Sequence, residues 1–216
     1  MTYGLREGVS FCAAGGRHFF LDRRANRYFA LKARDEALFS RLVARSFEPQ
    51  EGEALSQALG HLLSFGSQEA LIPFALTEAP SCDLDCHGDG ARLNLVLRAC
   101  LSYALVKVQL ACSAPARLFD AHVRRKPGLS PQPQKDRMLQ ELSRAFERLR
   151  AWTGEDQCLP LSLSFARLAY GLGYPVTVIF AITPRPFGAH CWVQLGPQVL
   201  NDRLSRVVAF TPIYAL

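Results

Sequence analysis

The stretch Gly154-Glu155-Asp156-Gln157-Cys158-Leu159-Pro160-Leu161-Ser162-Leu163-Ser164-Phe165-Ala166 decides how the rest of the chain is read. It opens polar and turns apolar at Leu159, and the apolar run continues to Leu172. That pattern predicts a buried helix. Cys158 stands at the junction, where the positive end of the helix dipole favours the nucleophilic thiolate. Gly171 and Gly173 stop the helix, and Val176 to Ile182 is a continuous apolar strand. The restrained loop Thr183-Pro184-Arg185-Pro186-Phe187-Gly188 leads to a second strand-like run, Ala189 to Leu195, which carries His190. A Gly196-Pro197 turn follows, then Val199-Leu200-Asn201-Asp202. Pairing of these two runs would set His190 beside Asp202. The carboxylate then orients the imidazole, whose other nitrogen serves the thiol. Singly, such residues are core cysteines, satisfied strand histidines and caps. In this order and context they form a catalytic set. Gln157 and the Cys158 N–H are candidate oxyanion donors. Trp192 shares the His190 side of its strand and is read as core, whereas Cys191 points to the other face.

The segments Cys158 to Ser164, Pro186 to Val193 and Leu200-Asn201-Asp202 resemble the lasso-peptide B proteins, transglutaminase-like cysteine peptidases that remove the leader from a ribosomally made precursor. The resemblance is close from about Asp156 onward and looser before it. It implies a transglutaminase- or papain-like domain with Cys158 as nucleophile, His190 as base and Asp202 as its orienter. It departs at Leu161, where many relatives are basic, and at Gln194, where they are acidic. It also implies an asparagine-synthetase-like cyclase as partner. ATP is then the partner's requirement, because no nucleotide motif appears here and this chain is expected to hold no cofactor. A transglutaminase-like acyltransferase, in which an amine resolves the thioester, stays open. So does a catalytically idle peptide-binding scaffold, although the intact triad argues against it.

With 216 residues, 49% hydrophobic and 20% charged, the chain is a folded globular protein and not a disordered one. The net charge of +6 permits an acidic partner without naming one. Seven irregularly spaced cysteines and an N-terminus without an apolar signal core point to a reducing cytoplasm. The fold class expected is α+β. Residues 1–79 form a recognition unit, 80–90 a linker and 91–216 the peptidase domain.

In the first unit, Val9 to Ala14 and Arg17 to Asp22 are strands joined by Gly15-Gly16, and Arg27 to Leu31 is a third. Helices are expected at about Ala33 to Ala44 and from Glu51 to about Phe65. Phe19-Phe20-Leu21-Asp22 with Arg27-Tyr28-Phe29-Ala30-Leu31 is similar to the PqqD-like winged helix-turn-helix module of peptide-maturation systems. That resemblance implies a leader added as a strand beside Arg27 to Leu31, with apolar anchors on Leu59, Leu62 and Leu63. The unit is then expected to fold alone. Basic residues outnumber acidic ones from Arg6 to Arg45, which keeps DNA in view. The candidate last helix, about Ser56 to Ser64, carries no Arg or Lys, so an apolar peptide fits better and no nucleic acid is expected.

Cys82, Cys86 and His87 are three possible zinc ligands, but no second pair follows at zinc spacing and no metal is expected. Leu93 to Cys112 is interrupted by Arg98 and Lys107, short of the roughly 20 apolar residues of a span, and is read as a core helix. A further helix is expected from about Lys135 to Thr153, after a solvated loop over Val123 to Gln134.

Overall fold

The computed structural model describes residues 3–46, 52–65, 71–84, 92–126 and 136–216. Strands β2 (Val9–Ala14), β3 (Arg17–Asp22) and β4 (Arg27–Ala30) form an antiparallel meander in that order, as the Gly15-Gly16 turn predicts. Both turn glycines have positive φ, 56° and 75°, a conformation that disfavours a side chain. Helices α1 (Ala33–Val43) and α2 (Gly52–Leu59) follow.

The long second helix expected to reach Phe65 stops at Leu59. A Cβ at Gly60 would stand 2.3 Å from the Ser56 carbonyl oxygen, so Gly60 is the stop signal. The next residues turn into β5 (Leu63–Phe65), which pairs antiparallel with β1 (Tyr3–Leu5). Of the last helix anticipated from Ser56 to Ser64, α2 keeps Ser56 to Leu59 and the ribbon takes Leu63 and Ser64.

The meander is apolar on both faces. Phe11 and Phe20 face the N-terminal helices, in one cluster with Phe39, Leu55, Leu59, Leu62 and Leu63. The alternate residues Cys12, Ala14, Phe19 and Leu21 belong to the core of the C-terminal half. Strand period two divides the side chains between two cores. Residues 1–79 therefore share part of their apolar surface with the C-terminal half. Cutting the chain there would expose Phe19 and Leu21, at about 1.5–3 kcal/mol each.

The C-terminal half is a five-stranded sheet covered by helices. Its strands are β6 (Cys82–Asp83), β7 (Thr177–Pro184), β8 (Phe187–Leu195), β9 (Gln198–Val199) and β10 (Thr211–Ala215), in the order β10-β7-β8-β9-β6. β6 runs parallel to β9, so two residues expected in a linker belong to the sheet. Cys86 and His87 of the candidate zinc set lie outside the described residues. Among the described residues no group of three His, Cys, Asp or Glu side chains could hold a metal.

Five further α-helices complete the half among the described residues. α3 (Leu93–Cys112), α5 (Asp136–Thr153) and α6 (Cys158–Gly171) pack on one another, and α6 lies against β8. α4 (Pro115–Arg125) occupies residues read as loop from Val123, with Pro115 at its start, where a proline's fixed φ suits a helix. The short α7 (Leu204–Val207) precedes β10.

α3 departs from its expected role as a core helix. Leu95, Val96, Ala99, Ser102 and Val106 are buried, but Leu93, Leu97, Leu101, Leu105 and Val108 line an exposed face. By length and composition alone it also meets the requirement for a membrane span. Its buried stripe nevertheless packs on α5 and α6.

Candidate active site

α6 starts at Cys158 because the backbone before it is bent. Gly154 takes φ 84° at the end of α5, and Glu155–Gln157 make a single 3-10 turn. Pro160 is tolerated in the first helical turn, where N–H groups lack intrahelical acceptors. The helix beyond is buried through Leu161, Leu163, Phe165, Ala166 and Ala169, which fixes its N-terminus against the sheet. The Cys158 thiol lies within hydrogen-bonding reach of the Cys191 and His190 side chains.

The β8–β9 turn delivers Asp202. Gln194 pairs with Val199, and Leu200 N–H donates to the Val193 carbonyl, so the chain runs back beside His190. His190 Nε2 lies 2.6 Å from Asp202 Oδ2. That leaves Nδ1 as the ring nitrogen for the thiol. His190 is 4% exposed and the Asp202 side chain 1%, so the pair is shielded from bulk water.

The electrostatics separate nucleophile and base. Hydrogen bonding from Cys191 and His190, helped by the imidazolium charge, outweighs burial and brings Cys158 down to about 4. Cys191 is pushed up, first by burial and then by the neighbouring thiolate, so it stays a neutral donor. For His190 burial favours the neutral ring, but the hydrogen bonds to Asp202 and Cys158 prevail and raise its pKa. Burial alone would raise Asp202 as well. The His190 hydrogen bond and the Arg150 charge overcome it and leave the carboxyl at about 2. The arrangement favours a thiolate–imidazolium pair with an ionised carboxylate behind it.

Alkylation of Cys158 by iodoacetamide should rise as pH passes about 4, and not near 9, because the thiolate is already formed there. It should change again only at a pH above the ordinary histidine value, where the raised imidazolium loses its proton. A pH–rate profile with mass-spectrometric assignment of the modified residue checks both limbs. A single rise near pH 9 would show an unactivated thiol.

Several supporting residues gave no sequence signal. Arg150, from α5, places Nη1 2.9 Å from Asp202 Oδ1 and also donates to the Asn201 carbonyl. Asn201 accepts from Val193 N–H at 2.7 Å and donates to Ser162 Oγ at 3.0 Å. Ser162 in turn donates to the Cys191 carbonyl. This chain of bonds locks α6, β8 and the Asp202 bend together. Trp192 is fully buried, as expected of core, and donates to Gln194 Oε1 at 3.0 Å.

Gln157 has its side-chain oxygen held by Tyr103 OH at 3.1 Å and Lys107 Nζ at 2.9 Å. Its amide NH₂ is what remains for an oxyanion, beside the Cys158 N–H at the helix start.

Of the residues predicted to meet a peptide, Arg27 to Ala30 form β4 at the edge of the N-terminal meander, whereas Leu59 ends α2 and Leu63 opens β5. β4 pairs only with β3 among the described residues, so its outer edge is open. Arg27 and Ala30 are exposed, Tyr28 and Phe29 are half-buried, and Leu31 is buried. Leu59, Leu62 and Leu63 are not anchors in an open groove. They are buried, 0–4% exposed, because β5 folds them into the N-terminal core.

A family model described as the transglutaminase-like superfamily matches residues 101–215, more than half of the chain and all three triad positions. The chain belongs to that superfamily. No curated protein and no solved structure matches it.

Proposed function

We propose that this protein is a cysteine leader peptidase of a lasso-peptide pathway. The observation that carries the chemistry is the Cys158–His190–Asp202 line, with a thiolate at a helix N-terminus and a 2.6 Å His–Asp hydrogen bond. Cys158 attacks the scissile carbonyl, and the oxyanion sits near the Cys158 N–H and the Gln157 amide. His190 gives its proton to the leaving amine and then takes one from the water that resolves the thioester.

The N-terminal sheet supports the second half of the proposal, as a PqqD-like recognition element. The leader adds as a strand along the open edge of β4, and main-chain hydrogen bonds set its register. Recognition there is by backbone and by Arg27, Tyr28 and Phe29, since Leu59, Leu62 and Leu63 are buried in the N-terminal core. The core peptide passes to an asparagine-synthetase-like cyclase, which uses the ATP, in the cytoplasm.

Mass spectrometry of a lasso precursor incubated with the protein tests this reading. Loss of the leader at a single position supports it. An amine crosslink would make the protein an acyltransferase, a reading that the superfamily also accommodates. An unchanged precursor, with Cys158 still alkylated rapidly, would exclude the precursor as substrate.

A further inference from the structure

A cavity of about 360 Å³ opens beside β2, and none of the triad residues lines it. That volume lies at the small end of ligand pockets, about 300–1,000 Å³. Leu5, Val9, Phe11, Leu71 and Phe74 give it apolar walls. The Phe74 N–H donates to the Phe11 carbonyl at 2.7 Å, which fixes residues 71–74 to the strand. Ile72 also lines the cavity and is 72% exposed, so an occupant would cover apolar surface that now faces water.

Arg23 and Ser10 bring polar groups to the same cavity. Arg23 lies between β3 and β4, and Ser10 lies on β2. Arg23 Nη1 donates to Tyr214 OH at 2.7 Å, and the guanidinium carbon stands 4.4 Å from the Tyr214 ring centroid. The Nε–Nη2 edge is left, and its two parallel N–H groups match a carboxylate. Among the described residues neither Arg23 Nε nor Ser10 Oγ has a hydrogen-bond partner, although both atoms are buried. Buried polar groups normally have partners, because losing hydration without one is costly. The neighbouring charges are already matched. Arg6, which also lines the cavity, pairs with Asp22 at 2.8 Å, and Glu7 is taken by Arg24 at 2.6 Å. Among the described residues no carboxylate pairs with Arg23.

We propose that this cavity binds an apolar carboxylate. The Arg23 Nε–Nη2 edge and the Ser10 hydroxyl donate to the carboxylate oxygens, and the apolar part lies against Leu5, Val9, Leu71 and Ile72. Such a group supplies the anion that Arg23 lacks, acceptors for the two orphaned donors and a cover for Ile72. A phosphate would satisfy the donors but leave the apolar walls wet, and a neutral amide would bring an acceptor without the charge. Two sources carry this chemistry: the C-terminus of a peptide ending in an apolar residue, and a free acid of similar size. The site is separate from Cys158, so it stands whether or not a lasso leader is the substrate.

The test titrates full-length wild type, Ser10→Ala and Arg23→Lys with N-acetyl-leucine, and with N-acetyl-leucinamide as the uncharged control, following NMR chemical shifts. Ser10→Ala removes a hydroxyl that has no partner, so its Tm without ligand should not fall. Arg23→Lys keeps a cation beside Tyr214 and removes the fork. The acid should shift the amide signals around Ser10 and Arg23 in wild type. The amide should bind wild type, and the acid should bind each variant, about tenfold more weakly, the scale of one hydrogen bond to a charged group. An N-acetylated tripeptide ending in leucine separates the sources. Tighter binding than N-acetyl-leucine assigns the site to a peptide C-terminus, and equal or weaker binding assigns it to a free acid. Equal binding of acid and amide by wild type would overturn the proposal. So would undiminished binding of the acid by Ser10→Ala and Arg23→Lys, or no binding of it by wild type.

Discussion

Cys158→Ala is expected to abolish release of the leader, with a fall in kcat of at least about a thousandfold, while labelled leader binds as before. The scale comes from triads that act as one unit, where removing the nucleophile or the base costs about as much as removing the whole set. His190→Ala should therefore match Cys158→Ala, and the double variant should be no worse. Asp202→Asn should lose less, because an amide can still accept from or donate to the ring while the charge opposing the imidazolium is gone. In this protein the amide also meets Arg150 Nη1, which lies 2.9 Å from the carboxylate in the wild type. Single-turnover cleavage measured beside equilibrium binding separates the two effects. Retained cleavage in Cys158→Ala would move the nucleophile elsewhere. Weakened leader binding in the same variant would place the leader in the cleft and not on β4.

The juxtaposition of Cys158, His190 and Asp202 was legible because each member of this candidate triad is announced locally. A polar-to-apolar switch sets Cys158 at a helix start, and the Gly196-Pro197 turn folds Asp202 back beside His190. The meander was legible for the same reason: Gly15-Gly16 fixes the β2–β3 hairpin, and alternation does the rest. What failed depended on partners far away in sequence. Leu62-Leu63-Ser64-Phe65 continues the apolar pattern of α2, and only pairing with Tyr3–Leu5 makes part of it a strand. Cys82-Asp83 has no strand pattern of its own and is recruited by β9. The shared core did leave a trace, since β2 and β3 are apolar on both faces, the mark of a sheet covered on both sides. The exposed leucine face of α3 left none, because an apolar helix reads alike whether its stripe is buried or not.

Arg150→Met is expected to cost about 3 kcal/mol of stability, although Arg150 touches neither the thiol nor the imidazole. The Asp202 side chain is 1% exposed and Arg150 22%, so the ion pair is largely out of water. Breaking such a pair from one side leaves a buried charge short of a partner, which is far worse than losing an exposed bridge. For a chain of this size the loss corresponds to roughly 10 °C in Tm. Arg150→Lys should rescue only in part, since one ammonium cannot both pair with Asp202 and reach the Asn201 carbonyl as the guanidinium does. The pH dependence distinguishes this cause from lost packing. Asp202 titrates at about 2 in the folded protein against 3.8 as the reference value, so its ionised form stabilises the fold above pH 3.8. That contribution disappears as pH falls through about 2. Without Arg150 the folded carboxyl moves back up, so the gap between wild type and variant should narrow as pH drops from about 4 to about 2. Denaturant unfolding across that range measures the gap. A difference that stays constant with pH would show that the methylene stem of Arg150, packed along α5, was the part that mattered.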